Sequence, residues 1–264
     1  MERGVFLKKN CIRWIGQAAF QPERLLDLEI SLPPLDEQRR IVDSIMARLS
    51  VIERATVAMR SKLLALEAER LASVSARVTD HKTTKHGADD CLYEVTSGIG
   101  DEWKTRPVYG ATREGIEIAK EKVGKHPERY KPVERETVFY NPMRILIGSI
   151  AILDDDRAPG ITSPDYVVVR GKDGLLHGRF LYDWFRSPFA ADFIESLARG
   201  AVRERLMFNR LTRGEIPVPP WPEQLRHVAL SREVDDACSL IREQRKNLEA
   251  LRPILLHAAF SGQL

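Results

Sequence analysis

Three successive carboxylates and six histidines are the side chains of this sequence best suited to metal or acid–base chemistry. Asp154, Asp155 and Asp156 could together ligate a hard cation such as Mg²⁺. Adjacent carboxylates that follow a predicted strand are, however, more typical of a solvated turn. The histidines show no HExxH or other ligand spacing, and the sequence alone assigns no Ser/His/Asp set. The residues therefore predict neither a metal centre nor a hydrolytic site.

Motifs that bind nucleotides are also missing from the sequence. It contains no GxxxxGK[ST] phosphate loop and no GxGxxG loop. The segment Asn141–Arg144, NPMR, is superficially similar to the Asn-Pro-Pro-aromatic motif of adenine methyltransferases, but its third and fourth residues differ. We interpret it as a turn. An autonomous nuclease or methyltransferase therefore has little support.

Two basic segments are candidates for contact with a polyanion. The interval 104–135 holds nine Lys/Arg but also five acids, and 199–213 holds five Lys/Arg with one acid. Arginine side chains can bind phosphates or read guanine edges, and asparagine can read adenine. The net charge is only +3, and the sequence pI of about 8.7 permits such a partner without requiring it. Composition alone favours a solvated charged face over a binding site.

Composition predicts a water-soluble globular protein of one or two domains. The chain has 264 residues, 43% of them hydrophobic and 30% charged, with a mean hydropathy of −0.30. No apolar run approaches the roughly 20 residues that a membrane span requires, and the first residues lack a signal-peptide pattern. Cys11, Cys91 and Cys238 are far apart and form no CxxC pair. We therefore expect reduced thiols in a cytoplasmic protein.

An internal repeat organises the chain. Residues 30–42, ISLPPLDEQRRIV, align with residues 216–228, IPVPPWPEQLRHV, and we call these the first and second proline motifs. A Pro-Pro pair prevents a preceding helix or sheet ladder from continuing. Asp36 is a good N-cap, and its counterpart Pro222 suits the first turn of a helix. Each motif therefore predicts the start of a helix.

Both predicted helices are long and carry a narrow apolar stripe. They should run over about 36–78 and 222–260, and Pro253 should kink the second or end it near Arg252. The 4-3 spacing predicts a coiled coil; the alternative is two amphipathic helices packed on an ordinary core. The stripe residues are Ile45, Leu49, Ile52, Thr56, Met59, Leu63 and Leu66 in the first helix, and Val234, Cys238, Ile241, Gln244, Leu248, Leu251 and Leu255 in the second.

The region between the helices has a different character. Residues rich in β-branched and aromatic side chains predict strands over 138–140, 145–153 and 166–170, and helices are predicted over 180–187 and 188–197. The predicted fold class is therefore α+β, with one globular domain flanked by two long helices. The predicted segments are a tail at 1–29, a helix at 30–80, the domain at 81–215 and a second helix at 216–264.

These features resemble the specificity subunit of type I restriction–modification enzymes. The resemblance lies in the two Pro-Pro-x-x-Glu-Gln motifs, the long helix after each and the C-terminal AAFSGQL. The middle region is similar to a target-recognition domain at Tyr140–Arg144, Gly148–Ser149, Gly160–Tyr166 and Arg199–Arg203. The resemblance implies two such domains, each reading half of a split DNA sequence, held apart by paired antiparallel helices. It also implies a non-catalytic subunit that docks a methyltransferase using S-adenosylmethionine and, through the complex, an endonuclease that translocates DNA.

The chain departs from that family because it holds one complete recognition domain. Residues 1–29 align with the tail of a domain whose body is missing, so the chain is a natural half-subunit, a truncation or part of a split gene. Our hypothesis is that two copies pair their helices and read a pseudo-palindromic target. No cofactor or metal is expected in the chain itself. The alternative function is a coiled-coil scaffold that binds proteins and has no DNA specificity.

The predicted DNA contacts combine the basic segments with the resemblance. All are cationic or hydrogen-bonding residues of the middle region: Arg106, Tyr109, Thr112, Arg113, Arg144, Arg203, Arg205 and Asn209.

Overall fold

The computed structural model describes residues 12–14, 17–19, 32–119, 123–198 and 205–261. The chain divides into two compact units. The first comprises residues 1–56 and 247–264, and the second comprises residues 57–246. Arg203 and most of the predicted tail at 1–29 lie outside the described residues.

The helices and strands are as follows. The α-helices are α1 (Leu35–Val78), α2 (Ala88–Cys91), α3 (Gly178–Phe185), α4 (Pro188–Ala198), α5 (Phe208–Leu211) and α6 (Trp221–Phe260). Short 3₁₀ helices occupy Gly100–Thr105, Pro127–Arg129 and Ile145–Ile147. The strands are β1 (Ile12–Trp14), β2 (Gln17–Ala19), β3 (Thr84–Gly87), β4 (Leu92–Glu94), β5 (Tyr109–Thr112), β6 (Gly115–Ile118), β7 (Lys131–Val133), β8 (Thr137–Tyr140), β9 (Ile150–Leu153), β10 (Gly160–Thr162), β11 (Val167–Gly171) and β12 (Glu215–Val218).

Helix α1 confirms the prediction from the first proline motif. It runs from Leu35 to Val78, so Asp36 is not the N-cap that the sequence predicts. Asp36 and Glu37 lie in the first turn instead, where they place negative charge near the positive end of the helix dipole. Every residue of its predicted apolar stripe is buried or half-buried. The stripe is therefore a packed face, as the 4-3 spacing predicts.

Helix α6 differs from its prediction in two respects. It spans Trp221–Phe260, which confirms the predicted range, and because it continues through Pro253 the alternative of an end near Arg252 is wrong. Pro253 is exposed, so water can satisfy the carbonyl that loses its helical donor. The predicted stripe members Gln244 and Leu251 are exposed as well.

The buried face of α6 follows a different register after Ile241. Arg245, Leu248, Leu255 and Ala259 are buried or half-buried there. The buried face steps four residues from Ile241 to Arg245, whereas the predicted stripe steps three residues to Gln244. Four is the step that a 4-3 repeat requires here, because the preceding step, from Cys238 to Ile241, is three.

The region between the long helices contains a four-stranded antiparallel sheet in the order β4-β11-β8-β9. Side chains of β8 alternate between its two faces: Val138 and Tyr140 pack with α3, whereas Phe139 packs with Tyr109 and Val133. Three further antiparallel pairs, β5-β6, β7-β10 and β3-β12, lie in the same region, and β1 pairs with β2 closer to the N-terminus. The mixed helix and strand content confirms the predicted mixture of elements.

One predicted strand is only partly present. Ile145–Ile147 form a 3₁₀ turn and the strand begins at Ile150, because Gly148 lies in the left-handed region with φ of 86°. No helix among the described residues is both long enough and apolar enough to cross a membrane.

Candidate nucleic-acid interface

The predicted turn at 141–144 is confirmed, and it forms the centre of the candidate interface. The Asn141 side chain stabilises the turn because its Oδ1 accepts a hydrogen bond from the backbone N–H of Met143 at 3.0 Å. Arg144 follows at the exposed tip and precedes the 3₁₀ helix Ile145–Ile147. We call residues 141–148 the central turn. It presents one guanidinium group to solvent.

The β5-β6 hairpin lies against the central turn. The Ser149 hydroxyl donates to the carbonyl of Ala111 at 2.7 Å. A Cβ atom built on Gly148 would lie 3.5 Å from Cγ of Arg113, so the stem of that arginine contacts the turn. Arg113 is exposed in the hairpin turn, beside the exposed acid Glu114. The structure thus brings Arg113 next to the segment that carries Arg144.

A third segment reaches the same turn from residues 205–209. The backbone N–H of Leu206 donates to the carbonyl of Pro142 at 3.0 Å, and Leu206 itself is fully buried. Its neighbour Arg205 is exposed, and so is Asn209 in α5. The structure therefore brings segments carrying four of the predicted contacts, Arg113, Arg144, Arg205 and Asn209, to one turn.

Arg186 belongs to this arrangement, although it is not among the contacts predicted from the sequence. Its guanidinium donates to the carbonyl of Arg113 at 2.5 Å and to those of Gly148 and Ile150 at 3.4 Å. It also lies over the ring of Tyr182, 5.4 Å from the centroid, a cation–π contact. Arg186 thus ties the hairpin to the central turn. Only a lone arginine at a helix end marks it in the sequence.

Two other predicted contacts, Thr112 and Arg106, have partners inside the domain. Thr112 is half-buried and its hydroxyl donates to the carbonyl of Gly115 at 3.1 Å. Arg106 pairs with Glu102 at 3.1 Å and with Glu134 at 3.3 Å. None of these bonds reaches the central turn.

Tyr109 requires a correction. Only 4% of it is exposed, and its hydroxyl donates to the carbonyl of Ala158 at 2.9 Å. Burial raises the pKa of this phenol, while Arg157 opposes the shift. The side chain packs in the core beneath the hairpin, and we remove it from the interface. An aromatic residue beside cationic residues has the same sequence pattern whether its ring is buried or exposed.

Two of the three carboxylates considered for metal binding are engaged in ion pairs. Asp154 pairs with Arg179 and Asp155 with Arg157, each at 2.9 Å. Within the described ranges, no group of His, Cys, Asp or Glu side chains could hold a metal ion. The chemistry offered at the central turn is therefore that of exposed guanidinium and amide donors, which suit phosphates and base edges.

The second proline motif attaches the domain to α6 through Gln224. This fully buried side chain donates from Nε2 to the carbonyls of Pro219 and Leu175, and its Oε1 accepts from the N–H of His177, each at 2.8 Å. In the first motif, Gln38 makes the equivalent bond to the carbonyl of Pro33, also at 2.8 Å. The same motif therefore forms the same local bond in both copies.

The two copies differ in what covers them. In the second motif, Val218 and Val228 are 4% and 3% exposed. Their counterparts in the first motif, Leu32 and Val42, are 76% and 55% exposed, and Leu35 is 60% exposed.

The chain has the fold of a type I restriction–modification specificity subunit. It aligns with the HsdS subunit from Thermoanaerobacter tengcongensis at a TM-score of 0.54 and 18% identity, covering 98% of this chain and 68% of that one. It aligns with the type I system S subunit from M. genitalium at a TM-score of 0.56 and 14% identity, covering 96% and 68%. A chain from a structural study of type I complex assembly gives a TM-score of 0.64 at 18% identity, covering 99% and 68%.

Sequence comparison agrees with this likeness. A curated protein from Methanocaldococcus jannaschii, a putative type I restriction enzyme MjaX specificity subunit, is 23% identical over 291 residues, covering 98% of this chain and 66% of that protein. No family model matches the sequence. The resemblance to type I specificity subunits is thus confirmed, and the chain spans about two thirds of the length of these relatives.

Proposed function

We propose that this chain is a sequence-specific DNA-recognition subunit of a type I restriction–modification complex and performs no catalysis itself. The observation that carries this function is the convergence of three segments bearing exposed Arg113, Arg144 and Arg205 on one turn. It occurs in a chain that has the fold of a specificity subunit.

The proposed division of labour follows from the geometry. The recognition domain, with the central turn at its surface, reads one half of a two-part target. Arg113, Arg144 and Arg205 supply guanidinium groups for base edges and phosphates, and Asn209 supplies an amide. Arg186 is a positioning residue because its donors hold the hairpin and the central turn together. Arg203 and Thr112 stay candidate contacts, and Arg106 is a weaker one because two carboxylates already neutralise it.

The long helices are the proposed docking elements. We infer that α1 and α6 form an antiparallel pair; Ser73 contacts His227, and Arg70 contacts Asp235, within the second unit. The pair would dock a methyltransferase subunit, which holds S-adenosylmethionine, and through it an endonuclease and translocase subunit. The function would be exercised on cytoplasmic DNA.

A second recognition domain is needed to read a two-part target. We propose a homodimer as its source, and sedimentation with and without the methyltransferase would test it. A lone monomer at micromolar concentration under both conditions would contradict the homodimer and leave the exposed first proline motif to a domain from another chain.

Methylome sequencing is the first experiment. Cells with this chain and the methyltransferase of its own system should contain a methylated two-part motif that cells without the chain lack. The same complex should bind a duplex of that motif with an affinity that falls steeply as salt rises, because phosphate contacts release counterions. A protein scaffold would produce no motif and no salt-dependent binding.

Single substitutions then locate the interface. Arg144→Ala should cost about 1–3 kcal/mol on the cognate duplex and relax one base position, if this guanidinium reads a base. Arg60→Ala, which removes an exposed guanidinium from α1, is the matched control and should leave binding unchanged. If alanine substitutions of Arg113, Arg144 and Arg205 all weaken binding to cognate and unrelated duplexes equally, these residues do not read bases.

A further inference from the structure

Helix α3 is buried along its whole length and yet contains a charged pair. Arg179 and Asp183 are each only 3% exposed and lie four residues apart among aromatic side chains. Nε of Arg179 donates to Oδ2 of Asp183 at 3.0 Å. Because burying charge is unfavourable unless it is paired and hydrogen-bonded, partners are needed on every side.

Asp183 receives those partners from both long helices. Its Oδ2 accepts from the Ser231 hydroxyl at 2.5 Å and from Nε2 of His227 at 2.9 Å, both on α6. Its Oδ1 lies 3.7 Å from Nη1 of Arg70 on α1. Burial raises the pKa of Asp183, but Arg179, His227 and Arg70 outweigh it and hold the pKa well below its usual range. The carboxylate is thus ionised in the core.

His227 continues the network from α6 to α1. Nη1 of Arg77 donates to the Ser73 hydroxyl oxygen at 2.7 Å, which leaves that hydroxyl to donate to Nδ1 of His227 at 2.9 Å. Nε2 then carries the hydrogen that reaches Asp183, a tautomer assigned from its neighbours. The bonds therefore run in one direction from Arg77 to Asp183.

The order serine, histidine and aspartate is that of a hydrolytic triad, but the site has another role. His227 is fully buried and Ser73 is only 8% exposed, with its oxygen already accepting from Arg77. A nucleophile must reach the carbonyl carbon that it attacks. This serine is enclosed between helices, so the arrangement is structural.

Arg179 extends the network to the sheet edge and back to α6. Its Nη1 donates to Asp154, which follows β9, at 2.9 Å, and its Nη2 donates to Asp235 at 2.5 Å. Asp235 also pairs with Nη2 of Arg70 at 2.9 Å. Each of α1, α3 and α6 is thus bonded to the other two. Apolar side chains can exchange neighbours when helices slide, whereas these directional bonds are satisfied in one register only.

We propose that the buried network centred on Asp183 and His227 fixes the register of the recognition domain on the two long helices and so sets the spacer length accepted between the two half-sites. The inference rests on the proposed DNA-recognition function. The size of the expected change in spacer length follows from the geometry of the helix and of DNA. A slip of one helical turn moves the domain by about 5.4 Å, against a rise of about 3.4 Å per base pair. Such a slip changes the best spacer by about one or two base pairs for each copy that slips.

The first arm of the test measures spacer preference. The wild-type complex, Asp183→Asn and Ser73→Ala are bound to duplexes that keep the half-sites found by methylome sequencing and vary the spacer by one base pair at a time. We expect both variants to bind neighbouring spacers nearly as tightly as the preferred one, with the same half-site sequence. Asp236→Asn, an exposed carboxylate next to Asp235 on α6, is the matched control and should keep the wild-type preference.

The second arm needs no DNA. Spin labels on ketone-bearing residues at exposed positions 192 in α4 and 242 in α6 leave all cysteines in place and report the register directly. We expect one narrow distance in wild type and Asp236→Asn, and a second or broadened distance in the variants. Ser73→Ala removes only a hydroxyl from a helix and keeps the test valid if Asp183→Asn does not fold.

The outcomes separate the two claims. If the variants keep the single narrow distance of the wild type, the buried network does not fix the register and the proposal is overturned. An unchanged spacer preference in the variants overturns it as well. If the distances broaden in the variants but the wild-type complex binds no DNA, the proposed DNA-recognition function fails, whereas the role of the network in fixing the register is supported.

Discussion

The two proline motifs allow one substitution to be tested twice in the same chain. Gln224→Ala and Gln38→Ala remove the same amide from equivalent helix starts. Gln224 makes three hydrogen bonds of 2.8 Å, two of which reach the region between the long helices at Leu175 and His177. Gln38 is half-buried and has one such bond, to the carbonyl of Pro33.

The expected magnitudes differ because the consequences of burial differ. Gln224→Ala leaves the buried N–H of His177 and two carbonyls without their partner, and each unsatisfied buried group costs about 1–3 kcal/mol. We expect a total near 3–5 kcal/mol after some rehydration of the space left behind. Gln38→Ala loses one bond at a place that water reaches, and should cost about 0.5–1 kcal/mol.

Urea unfolding followed by tryptophan fluorescence gives the global free energies, and amide exchange at His177 gives the local effect. The exchange of that N–H should accelerate strongly in Gln224→Ala and stay at the wild-type rate in Gln38→Ala. Equal losses of stability in both variants, or a His177 amide that stays protected in Gln224→Ala, would refute the reasoning.

Three more outcomes follow from buried polar groups. Since the pKa of Asp183 is held well below its value of about 3.9 in unfolded chains, its ionisation stabilises the fold above about pH 4 and this contribution disappears as the pH falls towards the low folded value. The stability gap between wild type and Asp183→Asn should therefore narrow between pH 7 and pH 3 in urea titrations. Burial raises the pKa of the Cys91 thiol to about 11, so iodoacetamide at pH 8 should alkylate it slowly in the native protein and rapidly in urea, as seen by peptide mass spectrometry. Tyr109→Phe should cost about 1 kcal/mol of stability and leave DNA affinity unchanged; a large loss of affinity would restore Tyr109 to the interface.

The long helices could be predicted because their determinants are local. The proline motif defines where α1 and α6 start, and the 4-3 stripe defines their packed faces. The register error after Ile241 arose because Gln244 and Arg245 are both polar, and polarity alone does not say which one faces inward. The turn at Gly148 was missed because the aliphatic residues before it match a strand until a left-handed glycine interrupts them.

The candidate interface could be predicted only in part. Exposed arginines are recognisable by type, but the bonds that gather them, such as Leu206 to Pro142, join residues far apart in the chain. The buried network centred on Asp183 and His227 is even harder to predict from the sequence, since Ser73 and His227 are 154 positions apart. One local signal is available: Arg179 and Asp183 lie four residues apart in a helix whose other residues are glycine, leucine and aromatic residues, and this spacing favours an ion pair.

The solvent exposure of the first proline motif has a consequence for the solubility and the assembly of the protein. Leu32, Leu35 and Val42 place three aliphatic side chains in water where the matching face of the second motif is covered. Apolar surface of this kind favours contact with another molecule. The chain should therefore self-associate less, and precipitate less readily when concentrated, once a domain of another molecule covers the first proline motif.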